Sequence, residues 1–167
     1  MADDIDIPVL IYNLPRVQGK EIPISVISRL ADLSNIVGLK NSTPNMLHVS
    51  EAIAACRNKI AYMQGLAHLF LPSLILGAQG SITSILNAAP AFFVNLFNFF
   101  MKGDIIKAQE LHFRLMPLMK LGGSPVMVKA ALEMMGHPMG VPRKPLMPAS
   151  ENERKRISDV LSTLGLM

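Results

Sequence analysis

Short apolar runs alternate with helical segments through the first half of the chain, and the alternation then stops. Ile7 to Tyr12 is an apolar run that predicts a strand. Pro23 to Leu33 predicts a helix, with proline at its start and apolar residues at Ile24, Ile27 and Leu30. Ile36 to Lys40 is the second predicted strand. Thr43 is placed to cap a helix whose first residue is Pro44 and which runs to about Cys56. Ile60 to Gln64 predicts a third strand. His68 to Leu76 predicts a short apolar helix, broken by Pro72 or starting near it. Gly80 to Ile85 predicts a fourth strand, after the turn Gly77-Ala78-Gln79. This βα rhythm of roughly 20 to 30 residues argues for a parallel sheet covered by helices.

After Asn87 the pattern changes to helical periodicity alone. Pro90 to Met101, Asp104 to Met119 and Pro125 to Met135 predict three helices, separated by Lys102-Gly103 and Gly122-Gly123. Gly136 to Pro148 is rich in proline and glycine and predicts an irregular segment. Ser150, with Glu153 three positions on, is a capping-box signal for a last helix ending at Gly165. The expected class is α/β, with a strand-bearing region over 1–89 and a helical region over 90–167. Four βα units form either a small open sheet or part of a barrel.

Composition narrows the setting. A chain of 167 residues bounds the answer to one domain, large enough to bury a core. Half its residues are apolar and 17% are charged, which predicts strands buried on both faces or large subunit contacts. The apolar run from Ala88 to Met101 is too short to span a bilayer, and Asn95 and Asn98 interrupt it. The acidic start (Asp3, Asp4, Asp6) is unlike a signal peptide. The single cysteine, Cys56, excludes an internal disulfide and suits a reducing cytoplasm.

Net charge is +4, with one basic cluster at Arg154-Lys155-Arg156. Glu151, Glu153 and Asp159 surround it at helical spacing, so it reads as a solvated helix face rather than a nucleic-acid patch. Neither nucleic acid nor membrane is an expected partner. The twelve methionines read as gap-fillers between packed helices. His48, His112 and His137 are isolated and show no metal-ligand spacing.

Two residues carry candidate chemistry. Lys40 closes the apolar run Ile36-Val37-Gly38-Leu39, and Tyr12 closes the run before Asn13-Leu14-Pro15. A lysine at the end of a buried strand has little room to reach water. Desolvation disfavours an ammonium and frees the amine as a nucleophile for carbonyl carbons. The competing reading is a strand-end lysine that snorkels to the surface. In parallel α/β folds the C-terminal strand ends form the ligand face. There an amine can form a Schiff base with a ketone, and a nearby phenol can move protons.

The segment Pro8-Val9-Leu10-Ile11-Tyr12-Asn13-Leu14-Pro15, followed by Gly38-Leu39-Lys40-Asn41-Ser42, resembles the signature of the dihydrodipicolinate synthase / N-acetylneuraminate lyase family. The 28 positions from Tyr12 to Lys40 match its spacing. Gly65 after the third strand, Gly77-Ala78-Gln79-Gly80-Ser81-Ile82-Thr83 and Asn87 fit in order. So do Gly103-Asp104, Lys129 and Arg143-Lys144-Pro145-Leu146, and the resemblance covers essentially the whole chain. It implies the C-terminal half of a (β/α)8 TIM barrel, four βα units, followed by a helical tail. It also implies a class I pyruvate-type aldolase or lyase, without metal or organic cofactor. Lys40 would form the imine with pyruvate or another 2-oxo acid, and Tyr12 would relay protons. Ser42, Gly65 and Ile82, the last through its backbone, would line the substrate pocket.

The chain departs from the family pattern in three places. Gln18 stands where Thr or Ser usually precedes the loop glycine, Gly19. Val17 stands where dihydrodipicolinate synthases carry a substrate-binding arginine, and its neighbour Arg16 is expected to point elsewhere. Leu66-Ala67-His68 lacks the acidic residues with which sialic acid lyases hold sugar hydroxyls. These departures favour a smaller 2-oxo acid, such as a 2-keto-3-deoxy sugar acid. His68 either hydrogen-bonds a substrate or faces solvent.

A family barrel has eight βα units, and four are legible. The Gly-Thr-Thr loop that holds the substrate carboxylate in relatives is missing from this sequence. The chain is therefore expected to be truncated and inactive by itself, to associate as a homo-oligomer, or to need a complementing N-terminal half barrel. Two other readings stay open: a non-catalytic 2-oxo-acid-binding or subunit-assembly module, and a structural remnant.

Overall fold

Strand β1 (Val9–Asn13) shows how the apolar runs resolve. Val9 and Ile11 turn to one face and pack on a core, while Leu10 and Tyr12 turn to the other and stay exposed. With β2 (Ile36–Asn41), β3 (Ala61–Gln64) and β4 (Gly80–Ser81) it forms a parallel sheet in the order β1-β2-β3-β4. The computed structural model describes residues 6–167; the acidic Asp3 and Asp4 lie outside them. The chain divides into two compact units, Met1–Ile82 and Thr83–Met167.

In the first unit, α1 (Pro15–Gln18) and α2 (Ile24–Leu30) follow β1, α3 (Met46–Cys56) follows β2, and α4 (Phe70–Leu76) follows β3. The core on the helix face includes Ile27, Leu39, Val49, Ala52 and Tyr62, all at most 1% exposed. Burying a side chain of this size stabilises by about 1.5–3 kcal/mol. Cys56 lies in that core, where burial raises its thiol to about 11 and keeps it protonated.

The opposite face is layered by size. Leu10 sits in register with Gly38, and a Cβ at Gly38 would stand 2.6 Å from Leu10 Cδ1. Met63 sits in register with Gly80, where a Cβ would stand 2.9 Å from Met63 Cε. The two glycines make room for their large neighbours.

Two expectations need correction. Thr43 does not cap α3; Asn45 does, its side chain accepting from Leu47 N and His48 N at 3.1 and 3.3 Å. The Thr43 hydroxyl is engaged by the Glu21 carboxylate instead, and Pro44 lies outside the helix. The fourth strand is shorter than the run Gly80 to Ile85. β3 ends at Gln64, and the last amide to find its carbonyl is that of Ile82, so Ser84–Ala88 coil into a 3₁₀ turn. Helix α1 has only four residues, too few for any periodicity to announce it. Pro72 falls in the first turn of α4, where its missing N–H costs no helical bond.

The second unit holds α5 (Pro90–Met101), α6 (Ile105–Leu121), α7 (Pro125–Met134) and α8 (Glu151–Leu164). Asp104 and Ser124 cap α6 and α7, and α8 has the full capping box of Ser150 and Glu153. Leu96, Leu115, Leu118, Ala131, Ile157 and Leu161 form its interior. The irregular stretch after α7 is tied down by Lys129, whose Nζ donates to the carbonyls of Met139 and Val141 at 3.1 Å. No helix among the described residues is long and apolar enough to cross a membrane.

Candidate active site

Parallel pairing puts Tyr12 directly beside Lys40 at the C-terminal ends of β1 and β2. Both side chains rise from the open face of the sheet, because each lies an even number of positions from Leu10 and Gly38. Lys40 Nζ stands 3.9 Å from the centroid of the Tyr12 ring. Lys40 is half-buried, and Tyr12 is 42% exposed. Partial burial opposes ionisation of the Tyr12 phenol. The Ser42 hydroxyl and the Lys40 ammonium beside it, with the charge of Arg16, outweigh burial and hold the phenol below its ordinary range.

The charge of Arg16 is the smallest of the contributions at Tyr12. Val17 is 72% exposed on α1. Gln18 closes this loop on itself. Its Oε1 accepts from Leu14 N at 2.7 Å and its Nε2 donates to the Tyr12 carbonyl at 3.1 Å. The turn then leaves through Gly19 in the left-handed region (φ 77°).

Ser42 and Gly65 come together at the next strand ends. Ser42 is buried, with its amide donating to the Asn13 carbonyl at 2.9 Å. The Gly65 amide donates to the Asn41 carbonyl at 2.8 Å. A Cβ on Gly65 would fall 1.9 Å from Ser42 Oγ and 3.0 Å from the Asn41 carbonyl oxygen, so no larger residue fits there. Ile82 donates its amide to the Gln64 carbonyl at 2.9 Å, and its side chain is exposed. His68 faces solvent from the 3₁₀ turn Ala67–Leu69. Among the described residues no group of three His, Cys, Asp or Glu is placed to hold a metal.

An amine and a phenol in contact, beside a hydroxyl and a glycine, can do carbonyl chemistry: one group attacks while the other moves a proton. The second unit offers no comparable set. A cavity of about 150 Å³ there is lined by Lys129, Glu133 and Arg154. Lys129 is held by two carbonyls, and Arg154 pairs with Glu133 at 3.0 Å.

In the sequence His48 stands isolated, and no motif there assigns a role to the side chains of Asn13 or Asn41. All three are buried under the strand ends that carry Tyr12 and Lys40. The signal available was two asparagines with the same 28-residue spacing as Tyr12 and Lys40.

A family profile described as Dihydrodipicolinate synthetase family matches residues 1–164. The 4-hydroxy-tetrahydrodipicolinate synthase of Methanothrix thermoacetophila is 38% identical over 169 residues, which cover 99% of this chain and 57% of that protein. The dihydrodipicolinate synthase of Thermotoga maritima superposes with a TM-score of 0.94 at 31% identity, over 99% of this chain and 59% of its own. A chloride-inhibited dihydrodipicolinate synthase from Acinetobacter baumannii, complexed with pyruvate, superposes with a TM-score of 0.93 at 28% identity. It is matched over 58% of its length. The chain therefore spans well under two thirds of the relatives it matches. Its four parallel βα units and helical tail are the C-terminal half of a (β/α)8 barrel with its tail.

Proposed function

The chain belongs to the dihydrodipicolinate synthetase family, and from that premise we propose that it carries the imine-forming half of a pyruvate-type aldolase or lyase site. The observation that carries this reading is the contact of Lys40 Nζ with the Tyr12 ring, 3.9 Å from its centroid, at paired strand ends. The pyruvate complex of the Acinetobacter relative supports a small 2-oxo acid as substrate.

The neutral Lys40 amine attacks C2 of the 2-oxo acid. The carbonyl oxygen takes one proton from the attacking nitrogen and one through Tyr12 and leaves as water, and a protonated imine remains. Its nitrogen draws electrons from the bond between C3 and its neighbour, so that bond can break or form, with an enamine on Lys40 in between. Tyr12 supplies and removes the proton on the oxygen at the reacting carbon. Ser42 steadies the phenol; Gly65 and Ile82 shape the floor. The covalent imine is itself the electron sink, so this scheme needs no organic cofactor.

The exposed Val17, where the family pattern places an arginine, supports a small partner such as a 2-keto-3-deoxy sugar acid. Among the described residues β1 and β4 are the outer strands of the sheet, which supports completion of the barrel by an N-terminal half or by another copy of the chain. A cytoplasmic setting suits the reduced Cys56.

The test is trapping. Incubation with pyruvate and borohydride adds one pyruvate-derived mass, and peptide mapping places it on Lys40. A label on another lysine, retained in Lys40→Ala, overturns the reading. An adduct on Lys40 without turnover in the completed barrel favours a 2-oxo-acid-binding module.

A further inference from the structure

Beneath the Tyr12–Lys40 pair, on the helix face, four hydrogen bonds close a ring. Ile22 N donates to Asn13 Oδ1 at 3.0 Å, and Asn13 Nδ2 donates to Asn41 Oδ1 at 2.8 Å. Asn41 Nδ2 meets His48 Nδ1 at 3.3 Å, and His48 Nε2 meets the Ile22 carbonyl at 2.9 Å. The ring starts and ends on one peptide residue. Asn13 and Asn41 are wholly buried and His48 is 6% exposed.

The ends of the ring dictate everything between them. A backbone amide can only donate, so Asn13 must turn Oδ1 to Ile22 and Nδ2 to Asn41. Asn41 must then turn Nδ2 to His48, whose Nδ1 has to be bare to accept it. The Ile22 carbonyl can only accept, so the imidazole proton sits on Nε2. All four bonds donate in the same sense around the ring, an arrangement in which each bond polarises the next. No single member can flip without leaving a buried donor facing a donor.

The ring's position gives it a role. Asn13 and Asn41 are the residues next to Tyr12 and Lys40 in their strands, paired with each other in register. Their side chains point to the helix face, while those of Tyr12 and Lys40 point to the open face. Ile22 ends the loop that follows Tyr12, and His48 sits in the first turn of α3, after Lys40. The ring therefore ties both strand ends, and the element that follows each, from behind.

Resting on the imine-forming reading of the site, we propose that Asn13, Asn41 and His48 are positioning residues that hold the Tyr12 phenol against the Lys40 amine. Strand pairing alone fixes the two backbones; the ring fixes their terminal residues and the loop between Tyr12 and Ile22. A displacement near 1 Å in such a pair slows a reaction by roughly 10²-fold.

The test uses the 167-residue chain and two readouts. In ¹⁵N NMR at neutral pH, the wild-type His48 imidazole shows a proton on Nε2 and a bare Nδ1. A proton on Nδ1 overturns the proposal without any variant. In His48→Leu and the milder His48→Gln, the Tyr12 phenol, followed by its ¹³Cζ signal, titrates at higher pH than in wild type, with the larger rise in His48→Leu. Pyruvate adducts on Lys40 form roughly 10–100-fold more slowly in both. Either variant folded, with unchanged Tyr12 titration and unchanged adduct rate, shows that the ring is only packing. If wild type forms no Lys40 adduct, the imine-forming reading fails, and the tautomer and the Tyr12 titration still decide whether the ring positions the pair.

Discussion

The two faces of the four-stranded sheet are built from the same strands by opposite rules. On the helix face Leu39 and Tyr62 are buried to 0% and 1% exposure, and every polar side chain in the buried ring has a partner. On the other face Leu10 and Tyr12 are each 42% exposed, two glycines make room for large neighbours, and an amine touches a phenol. One face holds the strands in place, and the other offers what they hold. The difference teaches that a residue's face, more than its type, decides whether changing it alters stability or chemistry.

The sharpest way to break the comparison is Tyr12→Phe. On the open face it leaves packing almost unchanged and removes only the hydroxyl. Carbon–carbon cleavage in the completed barrel is expected to slow by roughly 10²–10⁴-fold, the usual worth of a positioned acid or base. Adducts on Lys40 still form. Steady-state turnover beside borohydride trapping checks this; unchanged turnover makes Tyr12 a packing residue.

A matched pair of leucines separates the faces by stability. Leu39→Ala opens a cavity in the core and should cost about 2–5 kcal/mol. Leu10→Ala, on the open face, should cost about 1 kcal/mol or less. Urea unfolding of both variants is the measurement, and equal losses would mean that the open face is covered in solution.

The smallest expected effect is a titration. Lys40→Met removes a cation from the Tyr12 phenol, whose ionisation should then move up toward that of an ordinary phenol. The sign for stability follows. With Lys40 present, the folded phenol gives up its proton more readily than the unfolded one. The contribution is complete above the unfolded value, near pH 10, and is lost as pH falls through the folded value. In Lys40→Met the stability change over that range should shrink. Ultraviolet titration of the phenol, beside unfolding curves at alkaline pH, measures both, and no movement in either would place the amine away from the ring in solution.

Apolar runs at βα spacing, the stop in that rhythm after Asn87, and the Ser150–Glu153 capping box all lie in local pattern, and all appear as elements. Tyr12 and Lys40 were legible for the same reason: each closes an apolar run, and parallel pairing of adjacent βα units makes neighbours of run ends. The cap at Asn45 was ambiguous locally, because Thr43 and Asn45 both suit it. The choice fell to Glu21, a residue 22 positions before Thr43, which engages its hydroxyl. The early end of β4 depended on where β3 stopped, a property of another strand.

By itself, then, the sequence determined the order of the strands and of the longer helices and set Tyr12 and Lys40 close to strand ends, because periodicity and capping are set by neighbours within a few positions. Tertiary structure alone decided that Gly65 has no room for a side chain beside Ser42, and that His48 closes a ring with two asparagines. Those facts depend on atoms brought together across many residues. Whether a buried amide or imidazole finds a partner is settled by packing, where an unpaired donor costs about 1–3 kcal/mol, and not by any property of the residue alone.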